Sequence, residues 1–151
     1  MHALVAAGAS FLAAVLWFDL MFDVQARRHR GEALPPEVLT SIAAYYRRVT
    51  TDARPMNLLV ALVMVLTFVL MAAEIVANAG RGVADWVSLA AVASALGLAR
   101  TRTVPSAVRL GSAKDTAEVQ SRLARAVLRD HQFCLAAMIL VDALQLSQAL
   151  S

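Results

Sequence analysis

The sequence predicts an all-α integral membrane protein, a four-helix bundle with cytoplasmic helical extensions of the second and fourth helices. Three observations carry this prediction. Of 151 residues, 60% are hydrophobic and only 17% charged, against about 45–50% and about 25% in a soluble domain; the mean hydropathy is +0.64. Four apolar stretches approach or exceed the length of about 20 residues that crosses a hydrocarbon core about 30 Å thick. Thirteen of the fourteen Lys and Arg fall into two loops on the same side of these stretches. The apolar excess is too large for one globular core and argues against a water-soluble enzyme. The chain reads as one four-span domain, residues 1–151.

The first span covers about residues 3–25: Ala3 to Phe18 is free of charge, and Asp19 and Asp23 lie in its inner half. A cleaved signal peptide would need a basic start and a small-residue exit, whereas here only His2 precedes the run and Trp17-Phe18-Asp19 closes it. The second span, about 56–78, carries only Glu74, near its outer end, where it is expected to reach water. The third, about 85–99, is short and rich in small residues such as Ala90, Ser94 and Gly97, as close helix packing requires. The fourth, about 130–150, contains Asp142.

Loop charge orients the bundle. Arg27, Arg28, Arg30, Arg47, Arg48 and Arg54 lie in one loop, and Arg100, Arg102, Arg109, Lys114, Arg122, Arg125 and Arg129 in another; the remaining turn has Arg81 alone. The positive-inside rule places both basic loops in the cytoplasm and both termini outside, in a cell inner membrane. The pI near 9.8 therefore records topology and contact with anionic lipid rather than nucleic acid. Cys134 stands alone, so cysteine-pair redox chemistry within the chain is excluded, and it reads as an inert buried thiol.

Both long loops carry helical signals. Pro35-Pro36-Glu37 suits a helix start, and Val38, Ile42, Tyr45 or Tyr46, and Val49 form one apolar face up to Pro55. Gly111-Ser112 breaks the other loop; Asp115-Thr116 can cap a new helix, on which Val119, Leu123 and Val127 continue a stripe into the fourth span. Two arrangements suit the helix at 36–53: packed on the extension of the fourth helix as a cytoplasmic stub, or flat on the lipid surface.

Ionisable groups at membrane depth are expensive, so each is a candidate for function. Asp19 and Asp23 share a helix face, about 12 Å and about 6 Å inside the boundary set at Arg27. His131 and Asp130 open the fourth span, and Arg54 and Asn57 flank Pro55 at the start of the second. These can converge on one inward-facing pocket. There Asp19 and His131 would transfer protons, while Asp23, Arg54, Asn57 and Asp130 position a polar substrate head. Asp142 and Gln145, on one face deeper in the fourth span, join the substrate-binding candidates. A purely structural alternative pairs Asp19 and Asp23 with Arg47, Arg48 or Arg54 to lock the helices together. A third reading gives Asp19, Asp23 and His131 to a metal. No Glu-x-x-His or His-x-x-x-His pair supports it, His2 and His29 lie towards opposite faces, and no metal is assigned. No cofactor is indicated.

Thr103-Val104-Pro105, Arg109-Leu110 and His131 at the start of the last helix resemble the anthrone-oxygenase-like family of small four-helix membrane proteins. The likeness covers about a third of the chain. Ser106-Ala107 stands where that family tends to have an asparagine after the proline, and Gln132-Phe133 where an arginine comes after the histidine. The resemblance implies a membrane protein tied to oxidation of aromatic substrates and carries over His131 alone.

The leading expectation is thus a small inner-membrane protein with a polar intramembrane pocket for a lipophilic or aromatic molecule. Membrane lipids are its neighbours. Two alternatives stand beside it. One is a proton, cation or solute transport module using Asp19, Asp142 and Glu74. The other is a structural subunit, as a homo-oligomer or within a larger membrane complex.

Overall fold

The computed structural model describes residues 1–79 and 82–150, with every side chain among them except that of Arg54; Arg81 lies outside the described residues. Among the described residues the chain is helical, without strands. Its elements are α1 (His2–Asp23), α2 (Pro36–Arg47), α3 (Arg54–Ala77), α4 (Val83–Leu98), α5 (Val104–Ser112) and α6 (Ala117–Ala149). Four continuous helical runs, His2–Arg28, Pro55–Ala77, Val83–Ser112 and Ala117–Ala149, are long and apolar enough to cross a membrane.

Two prolines explain where one helix bends and another stops. Pro105 has no N–H for the carbonyl of Thr101, and its ring crowds that carbonyl. The helix absorbs this by widening into a π-helical turn at Ala99–Thr103, and the third run continues to Ser112 instead of ending near Ala99. Pro55 acts similarly after the π turn Arg48–Asp52, but there the chain breaks at Ala53 (φ −92°, ψ 53°). The helix at 36–53 is therefore a separate rod, packed on α5 and α6, rather than a straight continuation of α3. Asn57 Nδ2 donates to the Thr50 carbonyl at 3.1 Å, satisfying an acceptor freed by the break. At the other loop the Thr116 side chain caps α6, accepting from the Val119 N–H at 3.5 Å.

The long helices form a ring in the order α1, α3, α4, α6, each packed on its two neighbours. Two buried clusters stack along the bundle. Val5, Leu12, Met71, Val92, Met138 and Val141 fill the first, between the four long helices. The second joins Val38, Ile42 and Tyr46 of α2 to Ala107 and Leu110 of α5 and to Ala124 and Val127 of α6. The stripe on α2 is thus covered by protein, as in the packed-stub arrangement. Gly111 permits that approach, because a Cβ there would lie 2.7 Å from the Arg47 backbone nitrogen.

The outer surface is the apolar one. Trp17, Phe18, Leu58, Leu62 and Ile139 are all more than half exposed. Only 22% of the most apolar window in each of the first three runs, and 28% in the fourth, is buried inside the protein.

Candidate functional site

Where α1 ends beside the middle of α6, five side chains from three helices meet. The four-residue spacing of Asp19 and Asp23 puts both carboxylates on one face of α1, towards α2 and α6. Tyr46 donates to Asp23 Oδ1 at 2.5 Å, and Tyr45 donates to Asp19 Oδ1 at 2.5 Å. The adjacent tyrosines can serve both acids because Tyr46 points into the buried cluster, while the Tyr45 ring stacks on Phe22 with centroids 4.0 Å apart. Burial above all, then the neighbouring carboxylate, pushes both phenols well above their ordinary pKa, so they remain donors.

His131 completes the group. Its Nδ1 lies 2.7 Å from Asp23 Oδ2, and its Nε2 faces Asp19 Oδ2 at 3.9 Å. Asp23 thus bridges Tyr46 and His131 through its two carboxylate oxygens. The other ring nitrogen, Nε2, is turned towards Asp19 and the space beside it. Asp23 therefore orients the imidazole, with Nε2 on the side of Asp19.

That space is a cavity of about 150 Å³ between α1, α3, α4 and α6. Asp19 and His131 form its polar end, with Thr103 and Cys134 nearby, and side chains such as Leu12, Val60, Met64 and Met138 line the rest. An engineered apolar cavity of about this size holds a benzene ring. The π turn at Ala99–Thr103 brings Ala99 and Thr103 to the cavity wall.

The other candidates are distributed differently. Asp130, next to His131 in sequence, turns away from the cavity. It is gripped through both oxygens by Arg102, with Nε at 2.9 Å, and accepts from Thr103 Oγ1 at 3.2 Å. Asn57 serves the Thr50 backbone. Arg54 opens α3, and its side chain lies outside the described ones. Asp142 accepts from Ser10 at 3.1 Å. Gln145 belongs to the opposite end of the bundle, against His2 and Ser88. Among the described side chains, neither Asp19 nor Asp23 pairs with an arginine. Arg47, expected as such a partner, donates to the Gly111 carbonyl at 3.2 Å.

Tyr45 and Tyr46 are legible in the sequence only as apolar-face positions, and Arg102 only as a topology charge. No protein-family model, curated protein or solved structure matches the chain.

Proposed function

We propose that the chain is a small multi-pass membrane protein that takes a lipophilic, ring-sized molecule into the cavity between α1, α3, α4 and α6. Asp19 and His131 act there as the proton-transfer pair. One observation carries the reading. The two ionisable side chains that face each other at 3.9 Å do so at the polar end of an otherwise apolar cavity of about 150 Å³. His131 Nε2 takes a proton from the polar head of the bound molecule, Asp19 returns one, and Asp23, backed by Tyr46, holds the ring in register.

Membrane residence is supported by the inverted surface. Four helices long enough to span expose Trp17, Phe18, Leu62 and Ile139, a surface that water would not tolerate. The two basic loops face the cytoplasm of an inner membrane, and both termini lie outside. The resemblance to the anthrone-oxygenase-like family, in which aromatic molecules are oxidised, agrees with a ring-sized cavity. A transmembrane proton relay through Asp142 has less support, because the side chains between Asp19 and the Asp142 level, such as Leu12, Cys134 and Met138, are apolar.

The test is native mass spectrometry of protein released from its own membranes, comparing wild type with Ala95→Phe, which fills the cavity. A lipophilic molecule that accompanies wild type and is absent from Ala95→Phe is expected. The same molecule should also bind Asp19→Asn and His131→Gln, and when added back in excess should be converted by wild type alone. Identical lipid contents in wild type and Ala95→Phe would refute the reading.

A further inference from the structure

At the opposite end of the bundle from Asp19, the first turn of α1, the last turns of α3 and the first turn of α4 bring a second set of ionisable groups together. We infer that His2, Glu74 and Asp85 form a binding site for a divalent transition-metal cation of the zinc or manganese class. One ligand atom from each lies within 4.8 Å of both others. In a tetrahedral or octahedral shell with bonds of about 2.0–2.2 Å, ligand atoms stand about 3–4 Å apart, so closure on an ion needs movement of about 1 Å. His2 Nδ1 is already 2.8 Å from Glu74 Oε1, and Gln145 Oε1, 2.8 Å from the same nitrogen, offers a neutral fourth donor.

A second observation is independent of this clustering. Glu74 and Asp85 are each only 2% exposed, yet Glu74 Oε2 and Asp85 Oδ1 have no hydrogen-bond partner. The sequence places Glu74 within reach of water; instead the packing of α1, α4 and α6 closes over it. No lysine or arginine among the described residues pairs with either acid. Two buried carboxylates facing one imidazole carry a charge that a single divalent cation neutralises, and their unused oxygens are the ligand positions it would take. Supporting contacts are in place: Asn78 Nδ2 donates to Asp85 Oδ2 at 3.3 Å, and Gln145 is held by Ser88 at 3.3 Å. Such outer partners fix ligand orientation in metal sites.

The probe is zinc itself, with manganese in parallel, titrated calorimetrically into chelator-stripped full-length protein in nanodiscs. The affinity tag must contain no histidine. Wild type is expected to bind one equivalent and to melt at a higher temperature with metal than without. Even loss of an outer-shell partner weakens metal sites about 10–100-fold, so Glu74→Gln and Asp85→Asn should weaken binding at least that much. Both variants are isosteric and remove a buried charge, so without metal they should melt no lower than wild type while losing the metal-induced rise. His29→Ala, at the other end of the bundle, should bind as wild type does. Absence of saturable uptake by wild type would overturn the inference, as would uptake unchanged in Glu74→Gln and Asp85→Asn. A fall in the metal-free melting temperature of Glu74→Gln with no metal response in wild type would instead mark a structural His2–Glu74 hydrogen bond.

Discussion

Replacing Tyr46 with Phe tests how the candidate site is held together. The substitution keeps the ring in the cluster with Ile42, Leu110 and Val127 and deletes only the hydroxyl that donates to Asp23 at 2.5 Å. Two magnitudes compete. Hydrogen bonds to charged groups contribute about 1.5–3 kcal/mol, whereas side-chain hydrogen bonds between membrane helices average about 0.6 kcal/mol. The larger range applies, because Asp23 is 1% exposed and Tyr46 2%, so no water replaces the lost donor. Tyr46→Phe should therefore lose about 1.5–3 kcal/mol. Tyr45→Phe, half-buried and still stacked on Phe22, should lose no more than about 1 kcal/mol. The assay is reversible unfolding in mixed micelles, monitored by circular dichroism, with Asp23→Asn completing a double-mutant cycle. A coupling energy of about 1 kcal/mol or more between the two sites is expected. A Tyr46→Phe variant within about 0.5 kcal/mol of wild type, the range of an ordinary surface change, would show that the Tyr46–Asp23 hydrogen bond does not hold the site together.

Arg102→Ala should cost about 3 kcal/mol in the same unfolding assay, the low end for stranding one partner of a buried ion pair because the arginine is half exposed while Asp130 is 1% exposed; Asp130→Asn in the Arg102→Ala background should recover part of the loss. Gly111→Ala should destabilise by about 1–3 kcal/mol, since the new methyl meets the Arg47 and Tyr46 backbone rather than a movable side chain, and protease nicking between α2 and α3 should report the loosened packing. Ala113 closes α5 with φ 51°, so Ala113→Gly should stabilise by about 0.5–1 kcal/mol in thermal unfolding. The Arg109 guanidinium, hydrogen-bonded to Asp115 at 2.7 Å, holds that carboxyl below its ordinary value. The pair's contribution is therefore present above about pH 4 and lost as pH falls through the lower folded value; carboxyl NMR titration should show this, and Arg109→Ala should return Asp115 to the ordinary range.

The helices are legible in the sequence because hydropathy and length are properties of contiguous residues: each apolar run becomes a long helix. The third extends beyond its apolar run, because Pro105, which reads as the edge of a loop, is a local widening that the helix absorbs. Within the site, Asp19, Asp23 and His131 stand out because ionisable residues are rare in apolar runs, and their spacing puts the two acids on one face. Their partners do not stand out. Tyr45 and Tyr46 carry the same apolar periodicity whether their hydroxyls meet water or a carboxylate, and only the fold of α2 back onto α1 decides between the two. The His2, Glu74 and Asp85 group is out of reach for the same reason: three residues on three helices share no spacing, and their meeting depends on how the helix ends align.

The proposed function stands on occupancy of the cavity beside Asp19 and His131 by a ring-sized lipophilic molecule. The most direct measurement uses the methionine methyl groups as reporters, by NMR on methyl-labelled protein in nanodiscs titrated with phenol. Met64 and Met138 line the cavity, while Met21 and Met56 lie on the outer surface. Saturable shifts confined to Met64 and Met138, and abolished in Ala95→Phe, are the expected result. Shifts that grow without saturation at Met21 and Met56, with Met64 and Met138 unmoved, would contradict it.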